Sequence, residues 1–216
     1  MIPTGTKGII FDMDGVLWLS NRIHAQAFSQ ILAANHLPEV DYRLLAGRRT
    51  DQVFRELLKG QDRHDSEQEV QRLTQQKQSL ARKLLIANPP VDPQCSEVIL
   101  ALSRRMKVAL ASSASRAGVA LFLQVSGLAP VFSVVLCGDD VQRAKPDPEI
   151  YLVALAKLGL QAGEALVVED SLHGIQAAIQ AGIPVIVKNG PIPLGIPKTP
   201  PIHAFIDCLC ELVHDS

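Results

Sequence analysis

Neither charge sign dominates the sequence. Its 21 Lys and Arg against 22 Asp and Glu give a formal net charge of -1, so no broad basic field exists to gather nucleic acid or an anionic membrane. Any anionic ligand has to be held by local groups. Long apolar runs are missing too: the opening MIPTGTKGIIFDMDG has only a short one, interrupted by two aspartates, which fits neither a signal peptide nor a membrane span. Cysteine is sparse. Cys95, Cys137, Cys208 and Cys210 lack zinc-type spacing, and they read as reduced thiols of a cytoplasmic protein. The six histidines form no HExxH or HxxxH pair, which argues against an all-nitrogen metal site. No internal repeat is evident.

What is present is a folded core. Nearly half the residues are apolar, 47%, and 20% are charged, a balance that suits a globular protein of one large or two small domains. Short β-branched runs at Gly8 to Phe11, Val108 to Ala111, Val134 to Leu136, Leu166 to Val168 and Val185 to Val187 read as buried strands. Helical patterns lie between the later ones, with Gly159 and Gly182 where helix ends are expected. Alternation of this kind predicts a Rossmann-like α/β core, a parallel sheet with helices on both faces. From about Leu19 to the Asn88-Pro89-Pro90 breaker the pattern is helical without strands. The expected organisation is thus a core of residues 1–18 and 91–216 with an all-helical cap, residues 19–90, inserted after the first strand.

Polar residues follow four of the strands: Asp12, then Ser112 and Ser113, then Gly138 and Asp139, then Glu169 and Asp170. In an open parallel sheet the carboxyl ends of the strands share one edge, where ligands bind. Asp12 and Asp14 stand two positions apart after the first strand, and paired acids repel unless a cation or proton lies between them. With Glu169 and Asp170 they offer oxygen ligands suited to a hard divalent ion such as Mg2+. Each group also has a plainer reading: helix caps for the acids and serines, a surface lysine before a turn for Lys145.

FDMDGVL, the serines of ALASSAS, the lysine of AKPDPEIY, and VVEDSLHGI resemble, in order, the four motifs of haloacid dehalogenase superfamily hydrolases. The likeness spans most of the chain and is closest to the subgroup with a small helical cap, which includes β-phosphoglucomutase and several sugar-phosphate phosphatases. It implies that Asp12 is a nucleophile forming an aspartyl-phosphate and that Asp14 is the general acid and base. It further implies that Ser112 holds the phosphoryl group and that Lys145 offsets charge. Mg2+ would lie on Asp12, the Asp14 carbonyl and Asp170, with Glu169 a direct ligand or a partner behind one.

Substrate choice is expected in the cap. His24 resembles a histidine that follows the hinge in the mutase-like subgroup, with a surface or packing role as the alternative. Lys77 falls near a cap lysine, with a solvated charge as its alternative. Arg48 and Arg49 follow Gly47 in a loop similar to the cap loop; Ser113 and Arg49 are candidate substrate contacts. Thr50 stands where the mutase has a phosphate-binding arginine, and Leu19 where an acid usually follows the first motif. The expected activity is therefore hydrolysis of a small phosphorylated metabolite by a monomer that binds neither nucleic acid nor membrane. The alternatives are a phosphosugar mutase and a non-enzymatic phospho-acceptor.

Overall fold

The computed structural model describes residues 1–60, 67–188 and 202–213. Six strands, β1 (Gly8–Phe11), β2 (Lys107–Ala111), β3 (Val134–Leu136), β4 (Ala165–Glu169), β5 (Val185–Lys188) and β6 (Ile202–Ile206), form one parallel sheet in the order β3-β2-β1-β4-β5-β6. The chain starts at the centre, builds outward to β3, then crosses back to β4. The order thus reverses beside β1, a topological switch point that opens a crevice at the carboxyl ends of β1 and β4.

Both faces are covered, as the continuous apolar runs require. Ile9, Phe11, Val108, Leu110, Leu166 and Val168 pack beneath α4 (Cys95–Ser103) and α5 (Arg116–Ser126). Their alternates Ile10, Ala109, Ala111, Val167 and Val185 pack beneath α6 (Glu149–Leu158) and α7 (Leu172–Gln180). The period-two switch of faces is that of a strand buried on both sides. The sixth strand has no counterpart among the runs read from sequence. It lies at the sheet edge, and its residues from Ile202 to Phe205 are only partly buried or exposed, so it lacks the apolar continuity that marks the other five. Among the described residues no helix is long and apolar enough to cross a membrane.

Between β1 and α4 the chain makes α1 (Asn21–Ala34), α2 (Thr50–Lys59) and α3 (Glu67–Ala87). They enclose their own cluster of Phe28, Leu32, Val53, Phe54, Leu58, Val70 and Leu73. The two links to the sheet pair with each other: Leu19 N–H donates to the Pro90 carbonyl, Asp92 N–H to the Leu17 carbonyl, and Trp18 bridges Val91. Lys188, at the end of β5 and buried, locks this ribbon by donating to the Val16 carbonyl and to Asp92 Oδ2, each at 2.7 Å.

Cys208 and Cys210, expected as reduced thiols, are joined by a disulfide. Their turn, Leu209–Leu212, brings the two Cα atoms to 5.3 Å, inside the range that a disulfide spans. Cys95 and Cys137 are free and buried.

Removing one partner of the Lys188–Asp92 pair strands a buried charge. Asp92→Ala is expected to cost about 3 kcal/mol in urea denaturation, and Asp92→Leu combined with Lys188→Met to recover most of it. A loss under about 0.5 kcal/mol, the range of ordinary surface changes, would show that the pair does not hold the ribbon.

Candidate active site

Asp12 follows β1 directly, buried, with its N–H bonded to the Val168 carbonyl of β4. Glu169 ends β4 and Asp170 follows it; ligand oxygens of Asp12, Glu169 and Asp170 lie within 4.8 Å of one another. One cation stands among them. Lys145 is fully enclosed and donates to Asp12 Oδ1 at 2.6 Å, Glu169 Oε1 at 2.7 Å and the Ala111 carbonyl at 3.2 Å. Burial alone would depress its pKa, but the Asp12 and Glu169 carboxylates outweigh that and hold it well above the ordinary lysine value. The lysine expected near a turn is thus a core residue, and its alternative as a surface charge is excluded.

Three carboxylates against one ammonium leave an excess of negative charge. Burial, reinforced by Glu169 and Asp170, pushes Asp12 well above the usual carboxylate range while Lys145 opposes the shift. Asp170 is pushed up to about 7 by burial and then by Glu169. A further cation would relieve both. The donors are all oxygen, as Mg2+ prefers, but they are not equally available. Glu169 Oε1 already accepts from Lys145 and from the Tyr151 hydroxyl, and its Oε2 from the amides of Asp170 and Ser171 and the Ser171 hydroxyl. Asp12 Oδ2 and Asp170 Oδ1 accept no hydrogen bond from the described residues. Gly15 belongs to the same construction: at φ +83°, a Cβ there would stand 1.8 Å from Asp170 Oδ2, so only glycine lets the loop after Asp14 close over that carboxylate.

Asp14 sits in a different environment. Its Oδ1 accepts from the Ser20 hydroxyl at 2.5 Å and lies 3.2 Å from His24 Nε2, while Lys77 Nζ lies 3.1 Å from His24 Nδ1. An ammonium can only donate, so Nδ1 accepts and Nε2 carries the proton toward Asp14. The chain Lys77–His24–Asp14 therefore has one direction. Burial acts to raise Asp14, but His24, Ser20 and the Lys77 charge outweigh it and bring its pKa below the ordinary carboxylate value. Lys77 is itself buried, with its Nζ 4.4 Å from the Phe28 ring centre. Burial lowers its pKa to about 8, against the pull of Asp14. Lys77 is therefore not the solvated charge of its alternative reading, and His24, with 14% of its side chain exposed, is not a surface residue.

These groups border a cavity of ≈ 310 Å³ between the sheet edge and the helical insert. Asp12, Asp14, His24, Lys77, Ser112 and Ser113 all face it. Ser112 Oγ accepts from the Ala114 amide, which leaves its hydroxyl proton for a ligand. Ser113 instead donates to the Gly47 carbonyl at 2.7 Å, so it ties the insert loop to the core. The helix that these serines would cap in their plainer reading is capped by Ser115. Arg49, an expected substrate contact, is absent from the cavity wall. Its guanidinium forms a fork with Asp51 and reaches the Gly138 and Val141 carbonyls, again joining insert to core. Arg48 does border the cavity and is paired with Glu56.

Residues that the motifs did not single out complete the site. Ser20 and Asn21 hold Asp14 and Asp170; a polar pair opening a helix carries the ordinary signal of an N-cap and gives no hint of this role. Tyr42 borders the cavity, and burial, then Asp14, pushes its phenol well above the usual tyrosine value.

Comparison with known proteins fits this geometry. The pattern of the haloacid dehalogenase-like hydrolases matches residues 9–188. The chain belongs to that family. A phosphorylated carbohydrates phosphatase of Thermotoga maritima is 32% identical over 82% of each chain, and a phosphoglycolate phosphatase of Yersinia pseudotuberculosis is 32% identical over 83% of this chain and 79% of its own. Such relatives place the hydrolase among the phosphoric monoester hydrolases. The crystal structure of CbbY from Rhodobacter sphaeroides in complex with phosphate superposes with a TM-score of 0.80 at 26% identity, covering 96% of both chains. A β-phosphoglucomutase from Clostridium difficile, at 20% identity, shares the fold with a TM-score of 0.82 over 96% of this chain and 93% of its own.

The lowered pKa of Lys77 has a thermodynamic signature. Between about 8 and the ordinary lysine value of 10.5 the unfolded chain binds the proton that the folded chain has lost, so stability from this group rises with pH across that window. Compared with Lys77→Met, the wild-type hydrolase is expected to gain stability from pH 7 to pH 10, by up to about 3 kcal/mol on the scale of 1.36 kcal/mol per pKa unit. A pH-independent difference in urea midpoints would place the amine in contact with water.

Proposed function

We propose that this hydrolase is a Mg2+-dependent phosphatase of small phosphorylated metabolites, a sugar phosphate in the first instance, working through an aspartyl-phosphate on Asp12. The observation that carries the reading is the contrast between two neighbouring carboxylates. Asp12 is buried against Lys145 with one oxygen unused, whereas Asp14 is wired to an imidazole and an amine on the insert. Two acids in environments this different are suited to different roles.

In the first half-reaction an Asp12 oxygen attacks phosphorus, the bond to the ester oxygen breaks, and Asp14 gives that oxygen its proton. Asp14 rests ionised; an arriving phosphate adds negative charge beside it and favours proton uptake, with His24 Nε2–H adjacent. In the second half-reaction Asp14 takes a proton from water as the water attacks phosphorus, and the Asp12 carboxylate leaves. The Ser112 hydroxyl faces the charge carried by the phosphoryl oxygens, and Lys145, engaged on Asp12, offsets the charge of the nucleophile from behind. Asp12, Asp170 and the Asp14 carbonyl would hold Mg2+, with Glu169 fixing Lys145 and the Asp170 loop from behind. When bound, Mg2+ neutralises phosphoryl charge and helps to align the transfer in line.

The helical insert acts as the cap and selects the substrate. The named relatives act on phosphorylated carbohydrates and phosphoglycolate, and a cavity of ≈ 310 Å³ is scaled to molecules of that size. Hydrolysis is favoured over a mutase reaction because Arg48, Arg49 and Arg116 already have carboxylate partners in Glu56, Asp51 and Asp140. A mutase needs a firm grip on a second phosphate while its intermediate reorients.

Asp12→Asn is expected to fold, by circular dichroism, and to lose at least about three orders of magnitude in kcat on sugar phosphates, as the loss of a nucleophile does. EDTA is expected to abolish wild-type turnover and Mg2+ to restore it. Near-normal kcat in the folded variant would remove Asp12 as nucleophile. Full activity in EDTA would remove the metal.

A further inference from the structure

One buried polar group at the cavity has no partner among the described residues. Trp18 is 0% exposed and borders the cavity, yet its indole Nε1–H has no acceptor among the described residues. Indole nitrogen donates and cannot accept, and an unpaired buried donor is destabilising. Its ring packs on Phe122 with centres 5.4 Å apart, and phenylalanine would fill that apolar contact without stranding a donor. The N–H therefore calls for an explanation that packing does not supply.

The position of Trp18 provides one. Its backbone is bridged to that of Asp14, and its carbonyl accepts from the Gly15 amide. Trp18 is thereby rooted beside Asp14, the acid that meets the leaving oxygen in the phosphatase reading. The same cavity is bordered by Gln78, Ala81, Arg82 and Leu85 of α3; Leu85 belongs to the same apolar cluster as Trp18. Arg82 makes no ion pair with any described residue. Arginine and indole are donors without acceptor capacity, whereas Gln78 can both donate and accept, so Arg82 and the Trp18 N–H can each pair only with an acceptor such as oxygen.

We infer that Trp18 is a specificity-determining residue whose indole N–H donates to an oxygen on the alcohol portion of the substrate. The preferred esters then carry a hydroxyl, carbonyl or carboxylate oxygen beyond the scissile bond. An ester whose alcohol portion is purely hydrocarbon leaves the donor unpaired and is turned over less efficiently. The inference rests on the phosphatase reading.

Trp18 is the sole tryptophan, so its indole N–H gives a single proton–nitrogen NMR resonance. In 15N-labelled Asp12→Asn protein with Mg2+, saturation with the best ester from a panel of sugar, polyol and carboxylate phosphates should move that proton downfield, and phenyl phosphate should not. In otherwise wild-type enzyme, Trp18→Phe should lower kcat/KM three- to tenfold for that ester, the scale of one neutral hydrogen bond, and less than about twofold for phenyl phosphate. An indole resonance that responds identically to both ligands, or equal losses on both substrates, would reduce Trp18 to packing and overturn the inference. If Trp18→Phe fails to fold, the resonance decides alone. Absence of turnover with every ester would instead overturn the phosphatase reading.

Discussion

Lys145 is the charge on which the site depends. Its ammonium joins the ends of three adjacent strands, through Asp12 after β1, the Ala111 carbonyl of β2 and Glu169 of β4. Without it, two buried carboxylates would face each other across the switch point with no counter-charge, and at least one would take up a proton. With it, Asp12 is held in one orientation and its second oxygen is left for chemistry. Glu169 in turn orders the turn into α7 through the Asp170 and Ser171 amides, which sets Asp170 beside Asp12. The excess negative charge that remains is what makes a divalent cation fit.

The helical insert completes this arrangement from above. Gly47 marks how closely: at φ +78°, a Cβ there would meet Ser171 Oγ at 2.2 Å, and its carbonyl accepts from Ser113. His173 Nδ1 lies 3.1 Å from the neighbouring Ala46 carbonyl. The loop thus rests directly on the turn that Glu169 organises. On the other side His24 reaches down from α1 to Asp14, and Lys77 of α3 contacts His24 from behind. Asp14 thus takes its His24 contact from the insert, so insert and core share one hydrogen-bonded chain.

Much of this was legible in sequence, for identifiable reasons. Buried parallel strands are continuous apolar runs, and acids and serines placed after them mark one edge of the sheet, so five strands and the placement of Asp12, Ser112 and Asp170 at that edge are legible from the residues; Lys145 stands out only through its motif resemblance, because a lysine before a turn proline reads by itself as a surface charge. Edge strand β6 lacks such a run. The position of Lys77 on a Gln-rich helix gives no sign that its amine turns inward, because burial there comes from Phe28 and His24 on another helix. Arg49 could be assigned to the right loop but not to a wall, since its partners Gly138 and Val141 are some ninety positions away. A Cys-x-Cys pair bonded within one turn carries no spacing signature that separates it from two thiols. The buried donor of Trp18 is a property of packing alone.

Transfer through an aspartyl group has one consequence that a direct attack of water on the substrate does not share. Each in-line displacement inverts the configuration at phosphorus, so two displacements restore it. The stereochemical course of hydrolysis, followed with a sugar phosphate made chiral at phosphorus by oxygen isotopes and sulfur, therefore tests the nucleophilic role of the site directly. Net retention in the released thiophosphate is the expected result. Net inversion would mean a single displacement by water and would contradict the account.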